Sequence, residues 1–295
     1  MNAVLERILK PHYLYRPGQA GRRLIRALTG SLPTSTVVTL PWGLPLLIDA
    51  TEAIGRQIWH LGVHDLAVGE TLWRLVNRGD LALDVGANLG HMTSIMALRA
   101  GPTGRVLCFE PHPQVFRRLE DNLALFRRQA RRDDLAAIEP SSSALGAAAG
   151  SAFLEVAEHF SRHQGTARLT RHRTPIPVSV TTLDAELRER TAAVVKIDVE
   201  GGELAVLEGG ATALGEGRIR NVVYEGHPPA RRRLAEFLGS FGYRVFGLGW
   251  NLRGLVLSGP TEAPRLPPFQ PPNFLATLDP DPVLLRLRPR GWEIL

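Results

Sequence analysis

The first run of residues able to do chemistry is Leu83-Asp84-Val85-Gly86-Ala87-Asn88-Leu89-Gly90, which ends a short apolar segment and opens a helical pattern. Glycine permits positive φ and lets backbone approach a ligand closely, and Asn88 tolerates the same region. The helix that follows presents unpaired N–H groups to a negative ligand group. About twenty residues later a second apolar run ends in Cys108-Phe109-Glu110-Pro111, where a carboxylate can take hydrogen bonds from both hydroxyls of a ribose. Turn, helix and acid in this order describe a nucleoside pocket. A dinucleotide would set its pyrophosphate on the turn, but the spacing is Gly-x-x-x-Gly rather than Gly-x-Gly-x-x-Gly. Asp84 would also repel that pyrophosphate. A carboxylate there suits a ligand with a positive ammonium, such as the methionine end of S-adenosylmethionine.

Two further clusters follow apolar runs. In Val195-Lys196-Ile197-Asp198-Val199-Glu200 the charged residues alternate with apolar ones, so they share a face if the strand persists. Lys196 inside such a strand calls for a carboxylate partner, because an isolated buried charge is very costly. Glu203 is placed to act as an anion at the start of the next helix. Downstream, Val223-Tyr224-Glu225-Gly226-His227 sets an acid and an imidazole just past another apolar run.

These residues need a scaffold that brings strand ends together. Short apolar runs at 81–85, 105–109, 136–139, 194–197, 221–224 and 243–247 alternate with helical patterns at 71–78, 91–99, 113–127, 203–214 and 230–238. Strands that are apolar throughout and separated by helices imply a parallel sheet covered on both faces. Such α/β sheets bind ligands at the carboxyl ends of their strands, where the strand order reverses. The pattern divides the chain into a Pro- and Gly-interrupted start (1–48), a central domain (49–258) and a Pro-rich tail (259–295). Residues 151–180 read as a hairpin-like insertion, whose polar linker, 159–173, is either a solvated loop or a flap over the substrate.

The net charge of +6 suggests an anionic partner, yet Lys10 and Lys196 are the only lysines and nearly all the basic residues are arginine. With no basic patch interleaved with aromatics for base stacking, nucleic acid is not expected. Cys108 is the only cysteine, which excludes an intrachain disulfide and a Cys-rich metal site. The basic start is not followed by an apolar stretch of the roughly 20 residues a membrane helix needs, so the expected address is the cytoplasm.

Taken with Asp84–Gly90 and the segment from Phe109 to Pro113, the phrases Asp198-Val199-Glu200-Gly201-Gly202-Glu203 and Leu207-Glu208-Gly209-Gly210 make the sequence resemble the FkbM family of methyltransferases. Gly62-Val63-His64-Asp65 is similar to that family's opening Gly-x-Tyr-Glu segment, with His64 in place of the aromatic and Asp65 in place of Glu. Asn122 and Thr182-Leu183-Asp184 match as well, while Phe126 stands where the family has a second Asn. The resemblance implies an α/β, Rossmann-like class I methyltransferase fold, with a mostly parallel seven-stranded sheet and helices on both faces. It implies S-adenosyl-L-methionine as cofactor, held by Asp84, Gly86, Asn88, Gly90 and Glu110, with Ser143 near the adenine by analogy with the fold. The implied reaction is methylation of a hydroxyl on a small natural-product or sugar-like acceptor. His227 is the first candidate for general base because its intrinsic pKa suits neutral pH, with Asp198 or Glu225 as runner-up. No tight ligand cluster predicts a metal. An NAD-dependent oxidoreductase and a cofactor-binding module without activity remain the competing readings.

Overall fold

The computed structural model describes residues 11–15, 18, 32–129, 134–155, 168–170, 176–260 and 272–295. A short helix α1 (Pro11–Tyr15) precedes a hairpin of β1 (Thr36–Thr39) and β2 (Pro45–Ile48), then helices α2 (Ala53–Leu61) and α3 (Leu66–Leu75). The regular alternation begins with β3 (Leu81–Val85), α4 (His91–Ala100), β4 (Arg105–Phe109), α5 (Pro113–Gln129) and β5 (Ala137–Ser141). A smaller sheet of β6 (Ala144–Leu145), β7 (Gly150–Glu155), β8 (Arg168–Thr170) and β9 (Ile176–Thr181) interrupts it. After α6 (Leu183–Leu187) come β10 (Ala192–Ile197), α7 (Glu203–Glu208), α8 (Ala211–Gly215) and β11 (Ile219–Glu225). The chain closes with α9 (Ala230–Ser240), β12 (Arg244–Asn251), β13 (Gly254–Ser258), β14 (Asn273–Thr277) and α10 (Pro280–Leu287).

The main sheet runs β13-β12-β14-β11-β10-β3-β4-β5. Every residue of β10 is buried, so this strand has no face for water and sits in the middle under helices on both sides. The strands from β11 to β5 are mutually parallel. β14 runs against its neighbours β11 and β12, and β13 runs against β12. The sheet has eight strands rather than the expected seven, because β13 folds back on β12 through Asn251↔Gly254.

The segment read from sequence as a tail contributes to this sheet. β14 is wholly buried between β11 and β12, and Trp292 and Ile294 beyond it are in the core. A buried ion pair on α3 fastens the last residues. Arg74 Nε lies 2.6 Å from Glu70 Oε1 and its guanidinium donates to the carbonyls of Pro289 and Gly291, while Glu70 accepts the N–H groups of Glu293 and Ile294. At the other end of the chain, Asn122 on α5 bonds both backbone groups of Leu47 and the carbonyl of Leu89. The β1–β2 hairpin is thereby tied to the turn after β3.

Local chemistry explains where boundaries differ from expectation. α3 begins before residue 71 because Asp65, in the left-handed region at φ 48°, caps it by accepting from Val68 N. The single helix expected over 203–214 breaks at Gly209-Gly210, where a Cβ on Gly209 would lie 2.0 Å from the carbonyl oxygen of Gly146. β7 and β9 pair antiparallel from Gly150↔Val180 to Leu154↔Ile176. Apart from the backbone of β8, the polar linker of that hairpin lies outside the described residues, as do residues 261–271 of the Pro-rich stretch.

Candidate active site

A cavity of about 370 Å³ opens at the carboxyl ends of β3, β4, β10 and β11, where the strand order reverses between β3 and β10. That volume is in the range of about 300–1,000 Å³ usual for small-molecule sites. Gly86, Asn88, Glu110, Ser143, Asp198 and Glu225 line it. Asp84, Gly90 and His227 are not among its lining residues.

At the β3–β4 side, the N–H groups of Gly86 and Ala87 both bond the Phe109 carbonyl, which fixes the turn against the end of β4. Gly86 has φ +81°, and a Cβ there would lie 1.9 Å from the carbonyl oxygen of Asp198. Its glycine is therefore required by the neighbouring strand's backbone. Gly90 has φ +83° and a Cβ there would meet Leu119 Cδ1 at 2.8 Å, so it serves the packing of α4 on α5. Glu110 accepts from Asn88 N at 3.1 Å and His112 N at 3.0 Å. Burial pushes its carboxyl up to about 7 against the pull of those two N–H groups and of Lys196. One bond to each oxygen leaves the ionised carboxylate further acceptor capacity.

At the β10–β11 side, Lys196 Nζ donates to the Gly86 carbonyl at 2.8 Å and lies 3.3 Å from Asp84 Oδ1 and 3.5 Å from Asp198 Oδ2. Burial disfavours the ammonium, but the two carboxylates more than offset this and hold it above its ordinary value. Asp84, fully buried, accepts from Thr93 Oγ1 at 2.6 Å and faces Lys196 rather than the cavity. Burial raises the Asp198 carboxyl, yet Lys196, a hydrogen bond with Glu225 and nearby His64 bring it below the usual range. Glu225 is pushed up to about 10, first by burial and then by the Asp198 charge. At neutral pH the pair is therefore a protonated Glu225 hydrogen-bonded to an ionised Asp198.

His227 contacts Glu225 Oε1 through Nε2, but its side chain is 62 % exposed, at the rim. The alternation of Lys196, Asp198 and Glu200 does not continue as strand: β10 stops at Ile197 and Glu200 turns with φ +56°. Glu203 closes that turn by accepting from Val199 N and Gly201 N.

Residues not singled out for the site also line it, namely His64, Asp65, His91 and Asn273. Asn273 Nδ2 donates to Asp65 Oδ2 at 2.5 Å, linking β14 to the cap of α3. His64 lies in the Gly-x-His-Asp segment and His91 directly follows Gly90. A polar residue at a buried helix start, between Leu89 and Met92, was the available signal for the second. Among the described residues, no group of three or more His, Cys, Asp or Glu side chains is arranged to hold a metal ion, and no helix is long and apolar enough to cross a membrane.

The cavity fits a nucleoside cofactor in its own chemistry. An acid with unused lone pairs stands beside Phe109, Leu145 and Leu154, an apolar wall for a base. The sequence matches the model of the methyltransferase FkbM domain over residues 84–245, more than half of the chain. No curated protein matches it. Among solved structures, it is similar to an S-adenosyl-L-methionine-bound fibrillarin from Aeropyrum pernix, at 14% identity and TM-score 0.41 over 84% of this chain and 98% of that one. It is also similar to a SAM-dependent O-methyltransferase from Thermotoga maritima, at 11% identity and TM-score 0.44 over 84% of this chain and 93% of that one. A precorrin-6y C5,15-methyltransferase from Geobacter metallireducens gives 15% identity and TM-score 0.40 over 71% and 87%. The family match takes in the ends of β3, β4, β10 and β11 that build the cavity, and on it the chain belongs to the FkbM methyltransferase family, as an enzyme that uses S-adenosyl-L-methionine.

Proposed function

We propose that this enzyme methylates a hydroxyl oxygen on a small, natural-product or sugar-like acceptor, with Asp198 as the general base. The observation that carries this is the Asp198 carboxylate, held ionised between Lys196 and Glu225 while 39 % of its side chain stays accessible at the cavity. Amines need no base once deprotonated in water, whereas an alcohol must lose its proton as it is alkylated. Glu110 would bind the ribose hydroxyls, and the β3–α4 turn with Ser143 would border the rest of the nucleoside. When bound, S-adenosylmethionine supplies a methyl group already activated as a sulfonium. Asp198 receives the hydroxyl proton, and Glu225 steadies the carboxylate through its own hydrogen bond. A carboxylate of depressed pKa is a weak base at rest. It suffices because the hydroxyl proton becomes acidic only as the oxygen gains its third bond partner. General-base assistance is worth about 10²–10⁴-fold, and orientation in the closed site roughly 7–11 kcal/mol. His227, at the rim, is then a partner of Glu225 rather than the base.

The test is to incubate the enzyme with S-adenosylmethionine labelled with ¹³C in the methyl group and a panel of alcohols, phenols, sugars, amines and carboxylic acids. NMR of the products identifies the atom methylated. An O-methyl ether supports the reading; label found only on nitrogen, on carbon, or in protein or nucleic acid overturns it.

A further inference from the structure

The first residue of α4 is a buried imidazole with nothing to bond. His91 is 4% exposed, lines the cavity, and among the described residues neither of its ring nitrogens has a hydrogen-bond partner. Its ring packs edge-on against Trp42 at 5.2 Å between centroids, and the indole N–H is already given to Ser94 Oγ. An unpaired buried polar group keeps the full cost of its lost hydration. Leucine would fill similar space without that cost, so histidine at this position calls for a partner that enters the cavity.

His64 lines the same wall, 6.5 Å from His91 between ring centroids. Its Nδ1 lies 3.0 Å from Gln57 Oε1. An amide oxygen can only accept, so Nδ1 carries the hydrogen and Nε2 of the neutral ring keeps a lone pair. Burial, ahead of the nearby charges, holds both rings in that neutral form, His64 down to about 4 and His91 well below its ordinary value. The wall thus offers N–H donors and lone pairs without net charge. An anion would find Lys196 already engaged by Asp84, Asp198 and the Gly86 carbonyl, and would face ionised Asp198. A hydroxyl, which donates and accepts at once, satisfies such rings without moving a proton. His64 feels Asp198 and Lys196 at the carboxyl end of β10, whereas Glu110 marks the nucleoside side just past β4.

We propose that His64 and His91 form the subsite that recognises uncharged hydroxyl groups of the acceptor, an inference that rests on the O-methylation reading. The experiment uses enzyme labelled with ¹⁵N-histidine and saturated with S-adenosylhomocysteine, which carries no methyl to transfer. Methyl glucoside as a neutral polyol, and glucuronate as its anionic counterpart, are titrated while the ring nitrogens are followed by NMR. The expected result is a saturable shift of both rings with methyl glucoside and none with glucuronate. In His91→Leu the polyol should bind about tenfold more weakly, the loss of one or two hydrogen bonds. That variant should melt no lower than the wild type and keep its affinity for S-adenosylhomocysteine. Three results overturn the proposal: rings that respond fully to S-adenosylhomocysteine alone, rings that ignore the polyol, or rings that prefer glucuronate. Because binding is read without transfer, an N-methyl product in the labelling panel would overturn the O-methylation reading separately.

Discussion

Replacing Lys196 with methionine tests whether the ammonium holds the two halves of the site together. The side chain is 6% exposed and bridges the Gly86 carbonyl, Asp84 and Asp198. Methionine has a similar volume, so packing changes little and the charge is what is lost. Removing one partner of a buried pair is destabilising by about 3–5 kcal/mol, because it strands the other charge. Here the stranded charge is Asp84, fully buried and left with the Thr93 hydroxyl. Asp198, more exposed, is repaired by water and adds little. Urea unfolding followed by circular dichroism at neutral pH should therefore show a loss of about 3–5 kcal/mol, and Asp84→Asn in the same chain should restore most of it. The pH dependence carries its own sign. Lys196 is raised above its ordinary 10.5, so its contribution is fully present below that value and is lost as pH rises through the folded one. Asp198 is lowered from 3.8, so its contribution is present above that value and is lost as pH falls through the folded one. The difference between variant and wild type should thus be present across neutral pH, and narrow both as pH rises through the folded Lys196 value and as it falls through the folded Asp198 value. A loss below about 1 kcal/mol, the size of an exposed ion pair, or one that Asp84→Asn fails to relieve, would refute the bridge.

Glu110, raised from 4.5 to about 7, adds stability that is fully present below 4.5 and is lost as pH rises through 7. Binding ribose hydroxyls needs the ionised form, so affinity for S-adenosylmethionine should fall by up to about tenfold per pH unit below 7. Calorimetry should show this slope in the wild type and not in Glu110→Gln. Asp198→Asn should lower kcat by about 10²–10⁴-fold with cofactor affinity kept. Glu225→Gln, which mimics the protonated acid, should stay within about tenfold of wild type; equal losses in steady-state kinetics would contradict the assignment of the base. Gly86→Ala, with its Cβ 1.9 Å from the Asp198 carbonyl at φ +81°, should destabilise by about 2–5 kcal/mol in urea unfolding. Arg74→Ala should free the C-terminal segment, read by limited proteolysis and mass spectrometry as cleavage beyond α10 that the wild type resists.

The sequence was most legible where function follows from neighbours in the chain. Asp84 to Gly90 is one strand, turn and helix start, and Glu110 directly follows the next strand, so local rules place them at one edge of the sheet. β14 was not legible because its partners β11 and β12 lie upstream, beyond a Pro-rich stretch. Asn273-Phe274-Leu275-Ala276-Thr277 also has no alternation to mark a strand, since both of its faces are buried. The His64–His91 wall escaped for a related reason: its members follow different elements, and only the packing of α3 against the start of α4 brings them together.

The rule that chemistry follows the apolar runs found the cavity, but it does not say which way a side chain turns once the strand has ended. Asp84 sits inside its strand and is pulled under the turn by Lys196 on the adjacent strand, at register Lys196↔Asp84. Glu225, the last residue of β11, keeps the strand's inward direction and stays buried, whereas His227 lies past Gly226 and swings to the rim. Gly86 looks like a space left for a ligand and is filled by the carbonyl of Asp198. For Asp84 and Gly86 the deciding contact comes from the neighbouring strand or its end, far away in sequence. A strand register is therefore the least information that would have turned candidate residues into an oriented site.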